Sequence, residues 1–522
     1  MNLIASVFFS SLLHFFSADT TQYQLVVGSY TQKGNPGIEV YTVNSVTGKP
    51  TLQYSKENAS ASYLTLTKDG KNLYAVSEAN GEKSAVNAYQ LNSQNHFEKI
   101  NSTPTVGAGP CFITYREESK TIYTANYNSG SLSVFKTENG AVLPISQEIK
   151  YKGSSVNKSR QSESHAHNVV LSPDHSFLLV TDLGGDKIYQ HKIYADGLVD
   201  ENYTSITVGA GNGPRHFVFD EAGKFGYLIS EMSGTVDVFA LNQNKLTALQ
   251  SIVADTAYTK EPKAKGSGDI HISPSGKWLI TTNRVTSNEL TIFKIEHNGQ
   301  LTKMYHQPVL KRPRNFSFDP AGHFVFVASQ EEDKVQIFTF DEATGKLSDT
   351  HQLMDIKSPV CLQFSANPME VTPEERLKAL NINLIPVVPP IANYLKQVQV
   401  GKLVYLSGHG PDKPEGGQVY GKLGKDVTIE EGQAAARLTG ISMLSTLKSY
   451  IGDLSKVKRI VKVLGLVSSD PNFVQQPKVM NGFSDLMVDV FGEKGKHARS
   501  ALGVASLPNN ICVEIEMIVE LK

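Results

Sequence analysis

Cysteine is scarce in this chain. Cys111, Cys361 and Cys512 lie far apart with no CxxC pair, which excludes a disulfide framework and a zinc knuckle and leaves buried free thiols as the expectation. A surplus of charge is missing as well: 50 Lys and Arg stand against 51 Asp and Glu, a net charge of −1. Without a basic excess the chain has nothing to hold a nucleic-acid backbone, and no nucleic-acid partner is expected. Long apolar runs are also lacking. Leu3–Phe16 (LIASVFFSSLLHFF) is too short to span a bilayer and reads as the apolar region of a signal peptide within residues 1–20, with Ser17-Ala18 as the expected cleavage site. That predicts an exported or periplasmic protein. No Lys or Arg precedes the run and Phe16 is bulky for a cleavage site, so a cytoplasmic location is the alternative. No other segment approaches transmembrane length, and no stable membrane insertion is expected.

What the chain does have is length and a repeat. At 522 residues it exceeds one ordinary core, so two or more domains are expected. An apolar content of 40% with 19% charged residues suits globular domains. Within residues 22–365, a pattern recurs about every 50 residues: an apolar run, a turn of Pro, Asp or Gly type, and a second apolar run. Examples are Tyr63–Tyr74, Asn168–Leu179, His216–Tyr227, Asp269–Ile280 and Asn315–Phe326. A third, alternating run follows, as in Ser131–Lys136 and Val335–Phe340. A unit of that length with three or four short strands predicts a β-propeller. The ends of the second strands align seven times, from Gly28-Ser29-Tyr30 to Ala328-Ser329-Gln330. Val360–Phe364 is expected to complete the blade begun by Gln22–Tyr30, which would close the ring and remove its exposed edge.

Equivalent positions of successive blades converge on the axis of such a ring, so the aligned columns nominate a site. The column after the second strands reads Tyr30, Glu78, Tyr127, Leu183, Glu231, Arg284, Gln330. The first strands give Ser62, Cys111, His167, Arg215, Gly268, Arg314 and, beside it, Tyr63, Phe112, Asn168, His216, Asp269, Asn315. Guanidinium groups gathered at a funnel imply an anionic ligand, since Arg presents a planar fork to phosphate or carboxylate. The other reading is that these Arg and Glu residues pair across blades and stabilise the ring.

Arg160–His167 (RQSESHAH), Asp182–Asp186 (DLGGD), Gly213–His216 (GPRH), Glu231, Asp269–Pro274 (DIHISP) and Asn283-Arg284 fall in the order found in a known family. Over residues 22–365 the chain resembles the seven-bladed propeller lactonases, which include bacterial 6-phosphogluconolactonase and a fungal muconate lactonising enzyme. The resemblance implies His167, Arg215, Glu231 and Arg284 as a catalytic set. Phe112 departs from the His that many members have there. Lactone hydrolysis needs a base for water and stabilisation of the carbonyl oxygen as it becomes tetrahedral. His167 or Glu231 suits the base, and Arg215 or Arg284 the oxyanion. His165, Arg314, Glu78 and Asp269 are expected to bind the substrate, a small anionic lactone. A second mechanism would place Ca²⁺ near the axis among Glu78, Asn168, Asp269 and Asn315. The nearby Arg residues oppose a cation, so no metal or cofactor is expected.

After Phe364 the pattern changes. Ser365–Glu370 reads as a linker and Thr372–Glu375 as a helix start. Strands are expected within Val398–Ser407 and Val457–Val467, and a mostly helical stretch over Asn472–Phe491. Thr428 with Glu431 forms a capping box, and Ala436, Gly440, Met443, Leu447 and Ile451 follow at helical spacing. The last strand alternates, Val513, Ile515, Met517, Val519 and Leu521 against Glu514, Glu516 and Glu520. Residues 370–522 thus read as an α+β domain. Ala498–Glu516 resembles the C-terminal signature of the YjgF-like Rid family, which has a chorismate-mutase-like fold. The resemblance implies a homotrimer through this domain, and site residues at Tyr394, Ser407, Asn481, Arg499 and Glu514. Some members hydrolyse 2-imino acids, with Arg499 in the place of their carboxylate-binding Arg and Glu514 in that of their water-positioning Glu. Ala501, His409 and the longer loop Asp412–Val419 depart from those members. The chain therefore reads as a hydrolase that opens a sugar-acid lactone, with an appended Rid-like domain. A non-catalytic ligand-binding propeller and an imine deaminase in the second domain are the alternatives.

Overall fold

The computed structural model describes residues 21–522 apart from 93, 257–265, 286, 370–371, 388 and 391. The apolar run Leu3–Phe16 lies outside the described residues. Two compact units divide at residues 369 and 370.

The first unit contains seven four-stranded antiparallel sheets. Six are built from consecutive strands, spanning residues 64–104, 110–150, 166–207, 214–253, 267–308 and 313–355. The seventh joins both ends of the unit: Pro359–Met369 pairs with Gln22–Ser29, and Gly37–Asn44 and Pro50–Glu57 follow. This is the expected seven-bladed propeller. The closing strand runs further than its apolar core suggests. Instead of a linker from Ser365, pairing continues past an irregularity at Tyr23/Leu25 to Tyr23↔Pro368 and Gln22↔Met369, because backbone N–H and C=O groups at a sheet edge gain partners by continuing the ladder.

Seven apolar clusters sit between neighbouring sheets, one for each junction of the ring. The second strand of each blade therefore buries both faces. In Phe177–Asp182, Phe177 and Leu179 enter the cluster shared with Phe217 and Leu228, while Leu178 and Val180 enter the one shared with Tyr123 and Val134. Two-sided burial explains why these strands read as continuous apolar runs rather than alternating ones. Trp278, the sole tryptophan, is 5% exposed in one such junction. Its indole N–H donates to the Glu342 carbonyl at 3.0 Å. Gly345 crosses the ring with φ of +71°, where a Cβ would come within 2.6 Å of the indole.

The second unit is a five-stranded sheet in the order Gln397–Val400, Leu403–His409, Val513–Leu521, Val457–Ser468, Ala498–Val504. The last two strands are parallel and the other pairs antiparallel. The helices Ile429–Ile451 and Asn481–Phe491 share one core with it, including Ala436, Met443, Leu447, Phe483 and Leu486 beside Val513, Ile515 and Met517. Thr428 and Glu431 make the capping box that opens the first helix, and Thr372 and Glu375 make another. The expected helix over Asn472–Phe491 is two pieces, Gln476–Val479 and Asn481–Phe491. The first begins beside Pro477, whose missing N–H is tolerated in a first turn. No helix among the described residues is long and apolar enough to cross a membrane.

Candidate active site

Each second strand ends one residue before a member of the first column, and four of those members, Tyr30, Glu231, Arg284 and Gln330, line one cavity of about 350 Å³ with Arg160 and Arg314. Glu231 is its hub. One carboxylate oxygen accepts from Arg215 Nε at 3.0 Å and Arg284 Nη2 at 2.7 Å, and the other from Arg160 Nη2 at 2.8 Å. Glu231 is 5% exposed. Burial alone would raise its pKa, but Arg284, Arg215 and Arg160 outweigh burial and hold it down to about 2. Three cations share one anion, so the surplus is positive: burial and the neighbouring Arg215 and Arg314 outweigh the pull of Glu231 and lower Arg284 to about 9.

Arg314 is held differently. Its guanidinium lies over the Tyr30 ring at 5.2 Å, a cation–π contact, and no carboxylate among the described residues pairs with it. Tyr30 in turn donates its hydroxyl to Glu78 at 2.9 Å. His165 stacks on Tyr127 at 4.4 Å and bonds the Tyr127 carbonyl at 3.0 Å, and Tyr127 accepts from Arg160 at 3.2 Å. His167 is buried, with its ring 5.3 Å from His216 and 5.5 Å from Tyr127. Burial, then the field of Arg215, His216, Arg314 and Arg284, holds its pKa well below 6.5, so the imidazole is neutral at neutral pH.

Arg215, Glu231 and Arg284 thus meet in one network, with His167 beside it and Arg314, Glu78 and His165 around it. Asp269 is a correction. Expected to hold substrate, it is 1% exposed and both its oxygens are taken: His216 Nδ1 bonds one at 2.7 Å, and His271 Nε2 bonds the other at 2.8 Å, where Asn315 also donates. These bonds, with one more from the Ile270 N–H, explain why a carboxylate so buried stays ionised. The other oxygen donors considered for Ca²⁺ are engaged as well. The Asn168 and Asn315 oxygens accept backbone N–H groups of Phe217 and Leu362, Glu78 is bonded by Tyr30, and Asp269 is held by imidazoles. Arg160 was missed, because alignment of strand ends does not reach a loop residue, although it opens the RQSESHAH motif. His216 stood in the second column without a role.

The family model for a seven-bladed β-propeller lactonase matches residues 24–364. The chain belongs to the seven-bladed propeller lactonase family. A 6-phosphogluconolactonase of Formosa agariphila is 34% identical over 351 residues, which cover 65% of this chain and 99% of that protein. The solved structure of a periplasmic gluconolactonase from Pseudomonas aeruginosa is 30% identical with a TM-score of 0.61, covering 66% of this chain and 99% of that one. Residues 374–521 match the YjgF/chorismate mutase-like family, and the Trypanosoma cruzi protein TCP17 is 44% identical over 146 residues, 28% of this chain and 91% of that protein.

In the YjgF-like domain the five expected residues form separate groups. Arg499 donates to Asn481 at 3.2 Å, Ser484 at 2.9 Å and the Pro477 carbonyl at 3.2 Å. Glu514 instead lies against Gly408, where a Cβ would meet its Oε1 at 2.1 Å. Burial and then Glu516 raise the Glu514 pKa. Ser407 bonds the Lys396 carbonyl, and Tyr394 is exposed. Arg499 and Glu514 stand on strands separated by Val457–Ser468, paired there with Val463 and Leu466, so one chain does not bring them together.

The Glu231 hub makes a stability prediction with a defined sign. Its folded pKa of about 2 lies below the ordinary 4.5, so its contribution is fully present above pH 4.5 and is lost as the pH falls toward 2. Glu231→Gln leaves the buried Arg215 and the part-buried Arg284 and Arg160 without their anion and is expected to cost about 3–5 kcal/mol at neutral pH. Urea unfolding of both proteins from pH 7 to pH 2 should show the gap closing in that acid window; a constant gap contradicts the assignment.

Proposed function

We propose that the propeller hydrolyses a sugar-acid lactone, as a 6-phosphogluconolactonase-like carboxylic-ester hydrolase. The observation that carries this reading is the cationic cavity: three guanidinium groups converge on one carboxylate, and a fourth, Arg314, has no carboxylate partner among the described residues. In this reading Arg314 binds the phosphate or carboxylate of the substrate. Arg284, with one nitrogen on Glu231 and Nε on the Gly266 carbonyl, turns its remaining N–H donors to the carbonyl oxygen as charge develops there. Glu231, both of whose oxygens already accept from Arg160, Arg215 and Arg284, serves as the anion that gathers them. The neutral His167 accepts the proton of the attacking water. Attack of that water on the lactone carbonyl and release of the ring oxygen, which takes up a proton, yield the hydroxy acid.

The second domain supports a homotrimer. Arg499 and Glu514 are apart within one chain, and Val398, Val400 and Tyr405 on two neighbouring strands of its sheet are exposed by 48%, 65% and 42%. Export is proposed from Leu3–Phe16, in keeping with the periplasmic Pseudomonas relative.

Free-acid release from gluconolactone and 6-phosphogluconolactone should exceed the spontaneous rate, and Arg284→Ala should lower kcat on the order of 10²-fold or more. A folded wild-type protein that accelerates neither lactone overturns the hydrolase reading; if it binds a sugar acid, the propeller is a binding module. Sedimentation should give three chains, and a single 57.1 kDa species overturns the trimer. N-terminal sequencing of the native protein should begin near residue 19, and retention of Met1 in a cytoplasmic fraction overturns export.

A further inference from the structure

A chain of bonds runs away from Arg215 into the protein, and the reaction above makes no use of it. Arg215 is 2% exposed. Its Nε is taken by Glu231 and its Nη1 donates to the Gly268 carbonyl and, at 3.1 Å, to Nε2 of His216. The other nitrogen of His216, Nδ1, meets Asp269 Oδ1 at 2.7 Å. These partners fix the proton. An arginine can only donate and an ionised carboxylate can only accept, so Nδ1 carries the hydrogen and Nε2 offers its lone pair. The reverse tautomer, or a protonated ring, would set two donors against each other.

The far end is held equally firmly. Asp269 Oδ2 accepts from His271 Nε2 at 2.8 Å and from the Asn315 amide, while the Asn315 oxygen accepts the Leu362 N–H at 2.7 Å and so fixes which way that amide points. The Ile270 N–H donates to Asp269 Oδ1 at 3.0 Å. Phe112 and Tyr63 close over the His216 ring at 5.3 Å and 6.0 Å. Three successive blades supply this chain: Arg215 and His216 come from Pro214–Phe219, Asp269 and His271 from Ser267–Ile272, and Asn315 from Pro313–Phe318.

We infer that Asp269 and His216 are positioning residues for Arg215: the carboxylate sets the imidazole tautomer, and the imidazole lone pair fixes the plane of the guanidinium beside Glu231. Burial, then the cationic field of Arg215, lowers the His216 pKa to about 4 against the pull of Asp269, which keeps the lone pair available at neutral pH. The inference rests on the lactonase reading for its kinetic consequence, but the tautomer itself is independent of what the cavity binds.

Two substitutions separate positioning from packing. His216→Gln can place an acceptor oxygen where Nε2 stands, and His216→Asn can keep a donor to Asp269 but has nothing to offer Arg215. His216→Asn and Asp269→Asn should lower kcat for lactone opening on the order of 10²-fold with KM changed less than about twofold, and His216→Gln should retain most of the rate. Folding is checked in parallel by the urea midpoint. Equal losses for the Gln and Asn variants, or an unchanged kcat in a folded His216→Asn protein, overturn the inference. In ¹⁵N-histidine-labelled full-length protein, the signals lost in His216→Gln should show the hydrogen on Nδ1 in the wild type. Hydrogen on Nε2 in an active wild type overturns the positioning dyad alone. Hydrogen on Nδ1 in a wild type that opens no lactone overturns the lactonase reading alone.

Discussion

The first unit depends on one pairing: Pro359–Met369 against Gln22–Ser29. Every other blade is made of consecutive strands, but this one is closed by segments more than 300 residues apart in the chain. Without it, Gln22–Ser29 would present an unpaired edge and the junctions on both sides would lose Leu362, Phe364 and Cys361 from their cores. Closure also brings Tyr30 and Arg314 to the same cavity, since they belong to the closing blade and its neighbour. The candidate site is therefore a product of ring closure as much as of local sequence.

Within that ring, charge is arranged around a deficit of anions. Glu231 serves three guanidinium groups, and Arg314 lies on an aromatic face instead of a carboxylate. Buried cations are costly unless paired, and the structure meets that cost in two ways. Arg215 is held through Nε and Nη1, whereas Arg284 and Arg314 line the cavity. Burial, with the field of these cations added to it, lowers His167 and His216, while the charge of Asp269 raises His271 against its burial.

The fold was legible in the sequence because two-sided burial leaves a strong mark. Phe177–Asp182 or Phe324–Ser329 can only be inner strands, and their regular recurrence counts the blades. The column after the second strands found Glu231 and Arg284 for the same geometric reason. Arg160 escaped because it reaches the hub from the loop between Lys150 and Ala166, where no blade equivalence applies. Asp269 was read as a ligand residue because its column position says where its Cα lies but not that His216, His271 and Asn315 use up its oxygens. In the YjgF-like domain, strand alternation, a helix start at Thr372–Glu375 and the capping box of Thr428 with Glu431 gave the elements. The separation of Arg499 from Glu514 follows from strand order, which a local motif does not encode.

The position of Trp278 gives the molecule a built-in optical label. It is the chain's only indole, wedged between two adjacent blades beneath Gly345, and the YjgF-like domain has tyrosines but no tryptophan. Tryptophan emission therefore belongs wholly to the ring, and a change in it registers the parting of those two blades while remaining blind to events in the second domain. The loosening of one unit can be followed in the intact chain without cutting the two apart.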